Sequence, residues 1–325
     1  MMNLFFKDGT KITLDKDYPV EDGIVNCLPD YLRFETRPSD EARNFIDIHN
    51  EVMKRNRGGE HLLMDKVEMA RLQKDFYDSA ALLYQKMDDW DKGSGGIHWM
   101  RINRNFAYDI KMLKGKNLLY IGAGNCRLSI MFAEYGFNVL STDIAKNILR
   151  VGKTIADKKG IDMIYMAQNA EQPLPFSDNT FDSIFSNCTV NHITDWRTYY
   201  TEKIRVVKPG GVILERMPNG KLEWFWNQQT VLNDAVEIKA KLCHRESVNA
   251  FLKDIPNITY DVWTQDRLYN ITPKALPFRL WQQYSKESFA PVMSAIYRLR
   301  RIPEDMNTPR DDRGIYTLAK IIKKR

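Results

Sequence analysis

The feature that most constrains this chain is a short apolar run that ends in two closely spaced glycines. The segment Leu118-Leu-Tyr-Ile-Gly122-Ala-Gly124-Asn-Cys-Arg-Leu128 reads as a strand, a tight turn and the start of a helix. Glycine tolerates positive φ and has no Cβ, so such a turn lets a ligand approach the backbone closely. Taken alone, a Gly-x-Gly turn after a strand is a loose pattern shared by many structural turns and dinucleotide-binding folds.

The chain around this turn alternates between apolar strands and helices. We predict strands at 117–121, 137–142, 162–167, 180–186 and 212–215, with helices at 126–135, 145–158 and 195–207. Two more strands are predicted at 258–264 and 314–322. Buried strands that alternate with helices indicate an α/β fold, in which a mostly parallel sheet carries helices on both faces.

A carboxylate closes the second predicted strand. Asp143 follows the glycine turn by about twenty residues, the spacing at which a carboxylate can accept hydrogen bonds from both hydroxyls of a ribose. The alternative is a structural one, in which the glycines form an ordinary turn and Asp143 caps the next helix. A nucleotide- or NAD-linked oxidoreductase would share this much of the pattern.

Several ordered motifs together resemble the class I S-adenosylmethionine (SAM)-dependent methyltransferases, most closely their "type 11" small-molecule subgroup. The motifs are Tyr120–Gly124, Thr142–Asp143, Asn169–Phe176, Ser177–Phe185 and Val207–Gly211. The resemblance covers about residues 100–216, plus an expected last strand near 315–322. Its Leu-Pro-Phe and Lys-Pro-Gly-Gly elements are not expected in an NAD-dependent dehydrogenase. It implies a Rossmann-like, seven-stranded, mostly parallel sheet with helices on both faces and helical additions at both ends.

The resemblance also implies a SAM site and a methyl-transfer reaction, with no metal. The glycine turn would pass under the methionine part of SAM, Asp143 would hold the ribose, and Lys208–Gly211 would form a turn entering the fifth strand. The cofactor-binding residues implied are Gly122, Ala123, Gly124, Asp143, Ile144, Asn169, Ala170, Asn187 and Cys188.

Three positions depart from the family pattern. Tyr120 stands where an acidic residue is usual, Cys126 replaces the third glycine, and Asn169 replaces a common Asp. The amide oxygen of Asn169 can still accept from the adenine amino group. These departures leave open a catalytically degenerate, SAM-binding partner protein as an alternative to an enzyme.

His192, a few residues past the fourth strand, is the candidate catalytic residue. It would act as a general base or a substrate hydrogen-bond partner if the acceptor must lose a proton, and as a packing and capping residue otherwise. Glu215, at the end of the fifth strand, is a second candidate. For His98 and Trp99, which precede the core, we favour a structural role.

Composition limits the partners and the compartment. The net charge of +6 is a mild excess, and no aromatic-and-basic stripe or RNA-binding module is visible, so a small-molecule acceptor is favoured and a tRNA or other nucleic-acid substrate stays open. No apolar run reaches the ~18 residues that span a membrane. Four scattered cysteines and a charged N-terminus without a signal-peptide core predict a cytoplasmic protein. The oligomeric state is not predicted.

The predicted organisation has two parts. Residues 1–96 form an N-terminal extension, with a short β element followed by helices and a Gly-rich break at 91–96. Within it, Tyr18–Ile24 faintly resembles a signature of small zinc-ribbon proteins but lacks their cysteines, so we expect a plain β-hairpin. Residues 97–325 form the methyltransferase domain, with an aromatic-rich insertion at about 265–312. The insertion either covers a substrate pocket or adds a helical layer.

Overall fold

The computed structural model describes residues 1–36, 66–79, 81, 97–219, 243–265 and 316–325. The predicted break at 91–96 and nearly all of the aromatic-rich insertion lie outside these residues. The strands are β1 (Asn3–Phe5), β2 (Lys11–Thr13), β3 (Val20–Glu21), β4 (Ile24–Asn26), β5 (Asn117–Ile121), β6 (Asn138–Asp143), β7 (Ile164–Ala167), β8 (Phe181–Asn187), β9 (Val207–Pro218), β10 (Ile258–Gln265) and β11 (Tyr316–Lys323).

Six α-helices accompany these strands in the described residues. They are α1 (Lys66–Ser79), α2 (Ile97–Met112), α3 (Arg127–Glu134), α4 (Lys146–Lys158), α5 (Trp196–Val206) and α6 (Arg245–Lys253). The helices and strands predicted between residues 117 and 207 agree with the observed ones to within two residues at each end. These are the segments in which apolar runs are bounded most clearly by glycine, proline or charged residues.

The main sheet has the order β10-β11-β9-β8-β5-β6-β7-β4-β3. Strands β5 to β9 are parallel to their neighbours within that group, whereas β10 and β11 are antiparallel. Strands β5 to β11 are therefore the seven strands expected, in a mostly parallel arrangement, and the predicted fold class is confirmed. The strand order changes direction at β5, so the carboxyl ends of β5 and β8 flank a crevice of the kind that binds ligands in such sheets.

The N-terminal hairpin adds two strands to the edge of this sheet. Asp22 and Gly23 both have positive φ, at 55° and 76°, which is the backbone of a two-residue type I′ turn. β3 and β4 pair across the turn, which confirms the predicted hairpin. β4 also runs parallel to β7, with Ile24 opposite Tyr165, so this segment continues the main sheet. The division of the chain at residue 96 stays a prediction.

The sheet separates two apolar cores. Because successive side chains on a strand point to opposite faces, Ile184 and Phe185 of β8 belong to different cores. The core on the Ile184 side contains residues of α5 and α6, such as Tyr199 and Leu252. The core on the Phe185 side contains residues of α3 and α4, such as Phe132 and Leu149, and also Leu28 and Leu32 of the N-terminal segment.

β9 differs from its prediction because it begins at Val207 rather than at 212. The Lys208–Gly211 segment, predicted as a turn that enters the strand, is part of the strand and lies at a register shift against β8 between Phe181 and Ser183. Gly210 has a φ of 76°, and a Cβ on Gly211 would lie 2.7 Å from the Asp182 carbonyl oxygen. The two glycines therefore accommodate a bulge inside the strand.

Candidate functional site

A cavity of about 260 Å³ lies at the carboxyl ends of β5, β6, β7 and β8. Its volume is close to the lower end of the roughly 300–1,000 Å³ that small-molecule sites occupy. Among the predicted cofactor residues, those that line it are Gly122, Gly124, Asp143, Ile144, Asn169, Ala170, Asn187 and Cys188. His192, the candidate catalytic residue, also lines it. Residues from four separate strand ends thus converge on one space.

The carboxylate of Asp143 ties the glycine turn to the start of α4. Its Oδ2 accepts from the Gly124 amide at 2.8 Å, and its Oδ1 accepts from the Ala145 amide at 3.0 Å. Ala145 is the residue before α4, so Asp143 forms a turn ahead of the helix and does not cap it, contrary to the structural alternative. Burial raises the pKa of Asp143 to about 6, although the amides that it binds lower it. Each carboxylate oxygen can accept more than one hydrogen bond, so the group can also serve a hydroxyl in the cavity.

The two glycines of the turn are needed for different reasons. Gly122 has a φ of 68°, and a Cβ there would lie 2.2 Å from Thr189 Oγ1. The missing side chain at this position therefore makes room for Thr189 of the same chain. Gly124 has a φ of 55°, and its Cβ would meet only Ile148 Cδ1, at 3.9 Å, among the described atoms. Gly124 and Ile148 both line the cavity. The space beside Gly124 is therefore open for a ligand, and the turn fits the cofactor that the fold implies.

Three residues in or beside the glycine turn have roles away from the cavity. Ala123 is buried and does not line it, and its amide donates to the Thr142 carbonyl at 2.9 Å. Tyr120 is buried, with its ring 5.1 Å from that of Phe185. Cys126 has a left-handed φ of 58° at the start of α3 and is fully buried. Cysteine thus adopts the backbone that a glycine would adopt without strain.

The wall of the cavity beyond β7 is built from amide groups. Asn169 Oδ1 accepts from the Glu171 amide at 3.0 Å, and Gln168 Nε2 donates to the Asn169 carbonyl at 2.5 Å. Gln168 Oε1 has no hydrogen-bond partner within the described part of the chain, although the residue is only 3% exposed. Hydrogen bonds among neighbouring residues therefore hold this wall together.

Helix α1 supplies the opposite wall. The Tyr77 hydroxyl lies 3.1 Å from His192 Nε2, and Gln73 Nε2 donates to the His192 carbonyl at 2.9 Å. His192 ends a short 3₁₀ helix, Val190–His192, so it does not cap a helix start. Its side chain instead meets a helix from the N-terminal part of the chain. The cavity is therefore completed by a segment outside the recognised motifs.

Sequence reasoning missed several lining residues. Most of them adjoin predicted positions along the chain, so a wider window around each motif would have found them: Asn125, Ile148, Gln168, Glu171, Thr189 and Ile193. Gln73 and Tyr77 lie more than 40 residues before the glycine turn. Their helical spacing only indicates which face of α1 packs, and it carries no information about what that face meets.

Glu215 lies away from the cavity. It is fully buried and ion-paired with Lys203 of α5, and it accepts from Ser186 Oγ at 2.8 Å. Burial lowers the pKa of Lys203 to about 8, against the attraction of this carboxylate. Glu215 is therefore a structural ion-pair residue, and the hypothesis that it catalyses is not supported. The backbone of His98 and Trp99 belongs to α2, and their side chains lie outside the described residues.

Comparison with known proteins agrees with this geometry. A family model described as "Methyltransferase domain" matches residues 119–214, the segment that supplies most of the cavity. The chain carries a class I SAM-dependent methyltransferase domain. SAM is the cofactor of this methyltransferase domain.

Curated relatives match over part of their length. An uncharacterized protein of Mycobacterium tuberculosis (strain H37Rv) is 34% identical over 99 residues, which cover 30% of this chain and 36% of that protein. The ubiquinone/menaquinone biosynthesis C-methyltransferase UbiE of Vibrio cholerae is 34% identical over 145 residues, 42% of this chain and 54% of UbiE. UbiE of Teredinibacter turnerae is 32% identical over 167 residues, 50% of this chain and 63% of UbiE. The chain thus spans about a third to less than two thirds of these relatives.

The described residues show neither a metal cluster nor a membrane span. No group of three or more His, Cys, Asp or Glu side chains in them could hold a metal ion. None of the helices described is long and apolar enough to cross a bilayer. The four cysteines, all in described segments, are free thiols.

Proposed function

We propose that this chain transfers a methyl group from SAM to a small-molecule acceptor, with the cavity as its cofactor site. The observation that carries the proposal is the convergence of Gly124, Asp143, Asn169 and Asn187 on one cavity. They come from four different strand ends, in the order of the family's motifs. A purely structural set of turns would not need to enclose a common space.

The side chains around the cavity define what each part of it can hold. Asp143 presents carboxylate oxygens to ribose hydroxyls, Ile144 and Ile148 present apolar surface, and the space at Gly124 admits the methionine part. SAM supplies an electrophilic methyl group on a sulfonium, and its sulfur is left as the neutral thioether of S-adenosylhomocysteine (SAH). The chain's contribution is to fix the two reactants in line and to exclude water.

We propose His192 as the group that receives a proton, where the acceptor must lose one. Its Nε2 faces the cavity wall formed by Tyr77, and the hydrogen bond of 3.1 Å between them fixes the orientation of the ring. Gln73 holds the backbone of the same residue. An imidazole suits this role because its pKa lies near neutral pH.

Two experiments test the proposal. The first is a calorimetric titration with SAM, SAH and NAD, and the second is an assay of SAH release with a panel of acceptors. SAM binding with SAH release supports it. SAM binding without turnover of any acceptor would favour the degenerate partner protein, and a response to NAD alone would overturn the proposal. Asp143→Ala is the matched variant. It should weaken SAM binding by about 1–3 kcal/mol, the cost of leaving hydroxyls without a buried partner.

A second, finer candidate is methylation of a ring carbon in a quinol. It is motivated by the UbiE relatives, which are named as C-methyltransferases of ubiquinone and menaquinone biosynthesis. The acceptor panel should therefore contain a benzoquinol and a naphthoquinol with an unsubstituted ring carbon, together with catechol, amine and tRNA acceptors. A methylated quinol identified by mass spectrometry would support this candidate, whereas turnover with tRNA alone would replace the small-molecule acceptor.

A further inference from the structure

A buried ionic network lies near the carboxyl ends of β8 and β9, on the face of the sheet that α5 covers. Its centre is the ion pair between Lys203 and Glu215, whose side chains are both fully buried. Lys203 Nζ also donates to Ser186 Oγ at 2.6 Å, and Ser186 Oγ donates in turn to Glu215 Oε2 at 2.8 Å. The Tyr199 hydroxyl donates to the same serine oxygen at 3.2 Å. The network therefore connects two strands and one helix through a single serine.

This network is adjacent in sequence to one wall of the cavity. Ser186 is followed by Asn187 and Cys188, which both line the cavity. Cys188 has a left-handed φ of 55°, a conformation that a residue with a side chain keeps only when its surroundings hold it there. Its amide donates to the carbonyl oxygen of Arg216, the residue after Glu215, at 2.8 Å. The network thus fixes a residue of each strand within two positions of this hydrogen bond.

The same wall also contacts the glycine turn. Thr189 follows Cys188, and its hydroxyl donates to the Ile121 carbonyl at 3.2 Å. A Cβ on Gly122 would lie 2.2 Å from Thr189 Oγ1, so the two segments are already as close as their atoms permit. A shift at the end of β8 would therefore displace the turn at the end of β5 as well.

A buried ion pair of this kind contributes little net stability. Removing two charges from water costs free energy that their attraction hardly recovers, and apolar residues of similar volume are often at least as stabilising. A fully hydrogen-bonded buried network instead favours one arrangement of its groups over others. We infer that Lys203 and Glu215 are positioning residues for the cofactor cavity. They hold Ser186, and through it they hold the wall formed by Asn187 and Cys188. This inference rests on the proposed function, since it assumes that SAM and SAH occupy the cavity.

Two double variants separate positioning from stability. The charge-free variant, Lys203→Met with Glu215→Leu, keeps the volume, so its melting temperature should stay within about 5 °C of the wild type. Calorimetry should show that it binds SAH about tenfold more weakly, the fold-change that corresponds to about one net hydrogen bond. The amide variant, Lys203→Met with Glu215→Gln, keeps an acceptor for Ser186 and supplies a donor to Tyr199. It should bind SAH within about twofold of the wild type, because the serine is held again.

The pH profile of SAH binding provides a readout that a merely structural role would not change. Burial lowers the pKa of Lys203 to about 8, against the attraction of Glu215. Loss of this proton leaves a buried carboxylate unpaired, so wild-type affinity should fall as pH rises from about 7.5 to about 9. Burial raises the pKa values of Tyr199, Tyr200 and Cys243, the other titratable groups that interact with the pair in the described residues, so these groups stay protonated. The charge-free variant should lose severalfold less affinity over this range, since ionisation of the ligand affects both proteins equally.

An exposed ion pair supplies the control. Glu134 of α3 lies 2.7 Å from Lys159, the residue after α4, and both side chains are more than 40% exposed. Glu134→Gln with Lys159→Gln should leave SAH affinity and its pH profile unchanged.

The outcomes distinguish the inference from the function on which it rests. If the wild type binds neither SAM nor SAH, the proposed function and the inference both fail. If the wild type binds SAH and the folded charge-free variant binds it equally well, only the inference fails. The same holds if the amide variant stays as weak as the charge-free one, or if the exposed control loses as much affinity. Should the charge-free variant not fold, Ser186→Ala decides, because it removes the connection between the ion pair and the wall. An affinity within about twofold of the wild type in Ser186→Ala would overturn the inference.

Discussion

At the scale of single residues, the site uses few groups for several purposes. Asp143 illustrates this, because one carboxylate accepts from Gly124 in the glycine turn, accepts from Ala145 just before α4 and lines the cavity. A motif that assigns a single role to such a residue describes only part of what the residue does. A substitution at Asp143 changes the ligand site and its support together, so its effects need a probe that distinguishes them.

The ionisation of Asp143 provides such a probe. Burial raises its pKa to about 6, so the folded protein keeps a proton that the unfolded chain has already released. The free energy of unfolding should therefore fall as pH rises from about 4 to about 6. SAH binding should show the opposite dependence, since the ionised carboxylate is the better hydroxyl acceptor, and affinity should drop by up to tenfold per pH unit below 6. Calorimetry between pH 5 and 7.5 checks this, and an Asp143→Asn variant with the same pH profile would contradict it.

His192 gives the second prediction at this scale. If it receives the acceptor's proton, His192→Ala should slow turnover by about 10²–10⁴-fold, the usual contribution of a general base. SAM affinity should change little, because the substitution leaves Asp143 and the glycine turn intact. Single-turnover rates and calorimetry on the same preparation measure the two effects. A rate within twofold of the wild type would favour a packing role, and Tyr77→Phe reports how much of the effect depends on the orientation of the ring.

At the scale of elements, the contact between α1 and α4 completes the cavity. Ala145, the residue before α4, offers no side-chain cap, but Asp78 of α1 accepts from the Asn147 amide at 2.7 Å. The same carboxylate pairs with Lys74 at 2.6 Å, and both side chains are 2% exposed. A residue from a distant helix thus supplies the cap. Its carboxylate suits this position because the helix dipole favours negative charge at a helix N-terminus. This contact positions Gln73 and Tyr77 over the site.

Asp78→Ala should destabilise the protein by about 3–5 kcal/mol, because it leaves Lys74 buried without its carboxylate. The loss of the cap on α4 adds to the same effect. Urea unfolding monitored by circular dichroism measures the change. Asp75→Ala is the matched control on the same helix, since Asp75 is exposed and its contact in the described part of the chain is a hydrogen bond from Thr36 Oγ1 at 2.8 Å. It should change stability by less than about 0.5 kcal/mol. Equal effects of the two substitutions would show that the buried contact is not what holds α1.

At the scale of the whole molecule, the N-terminal segment and the main sheet share one core. β4 pairs with β7, and Ile24, Leu28 and Leu32 are at most 1% exposed in the core that also contains Phe132. Removing the segment would expose the edge of β7 and the apolar surface beneath it. Because an exposed strand edge is prone to pair with other chains, the segment also protects the sheet from aggregation.

Residues 97–325 expressed alone should therefore fail to unfold cooperatively. Each of the three buried side chains contributes about 1.5–3 kcal/mol, a sum comparable with the whole stability of a typical domain. Differential scanning calorimetry checks this, and a sharp transition close to that of the full chain would show that the predicted boundary at residue 96 separates independent units. Two point variants test the cause. Ile24→Ala should cost about 2–5 kcal/mol, whereas Val20→Ala, at a residue 52% exposed, should cost little.

The sequence by itself determined the alternation of strands and helices, the location of the glycine turn and the position of Asp143 at the end of β6. These features are local, because apolar runs, glycines and helix boundaries act within a few residues. Local pattern also placed Asn169, Asn187 and His192 near one another, since the carboxyl ends of parallel strands meet at one edge of the sheet.

The tertiary structure alone decided which side chains meet across the chain. Glu215 and Arg216 are neighbours on β9, yet they face opposite sides of the sheet and pair with Lys203 of α5 and Asp109 of α2. Tyr77 likewise contacts His192, which is 115 residues away in the sequence, because the packing of α1 brings the two side chains together. Such contacts depend on how elements pack, and packing is set by the combined burial of many residues rather than by any one motif. That is why the motifs located most of the residues that line the cavity, whereas the wall provided by α1 emerged only from the folded molecule.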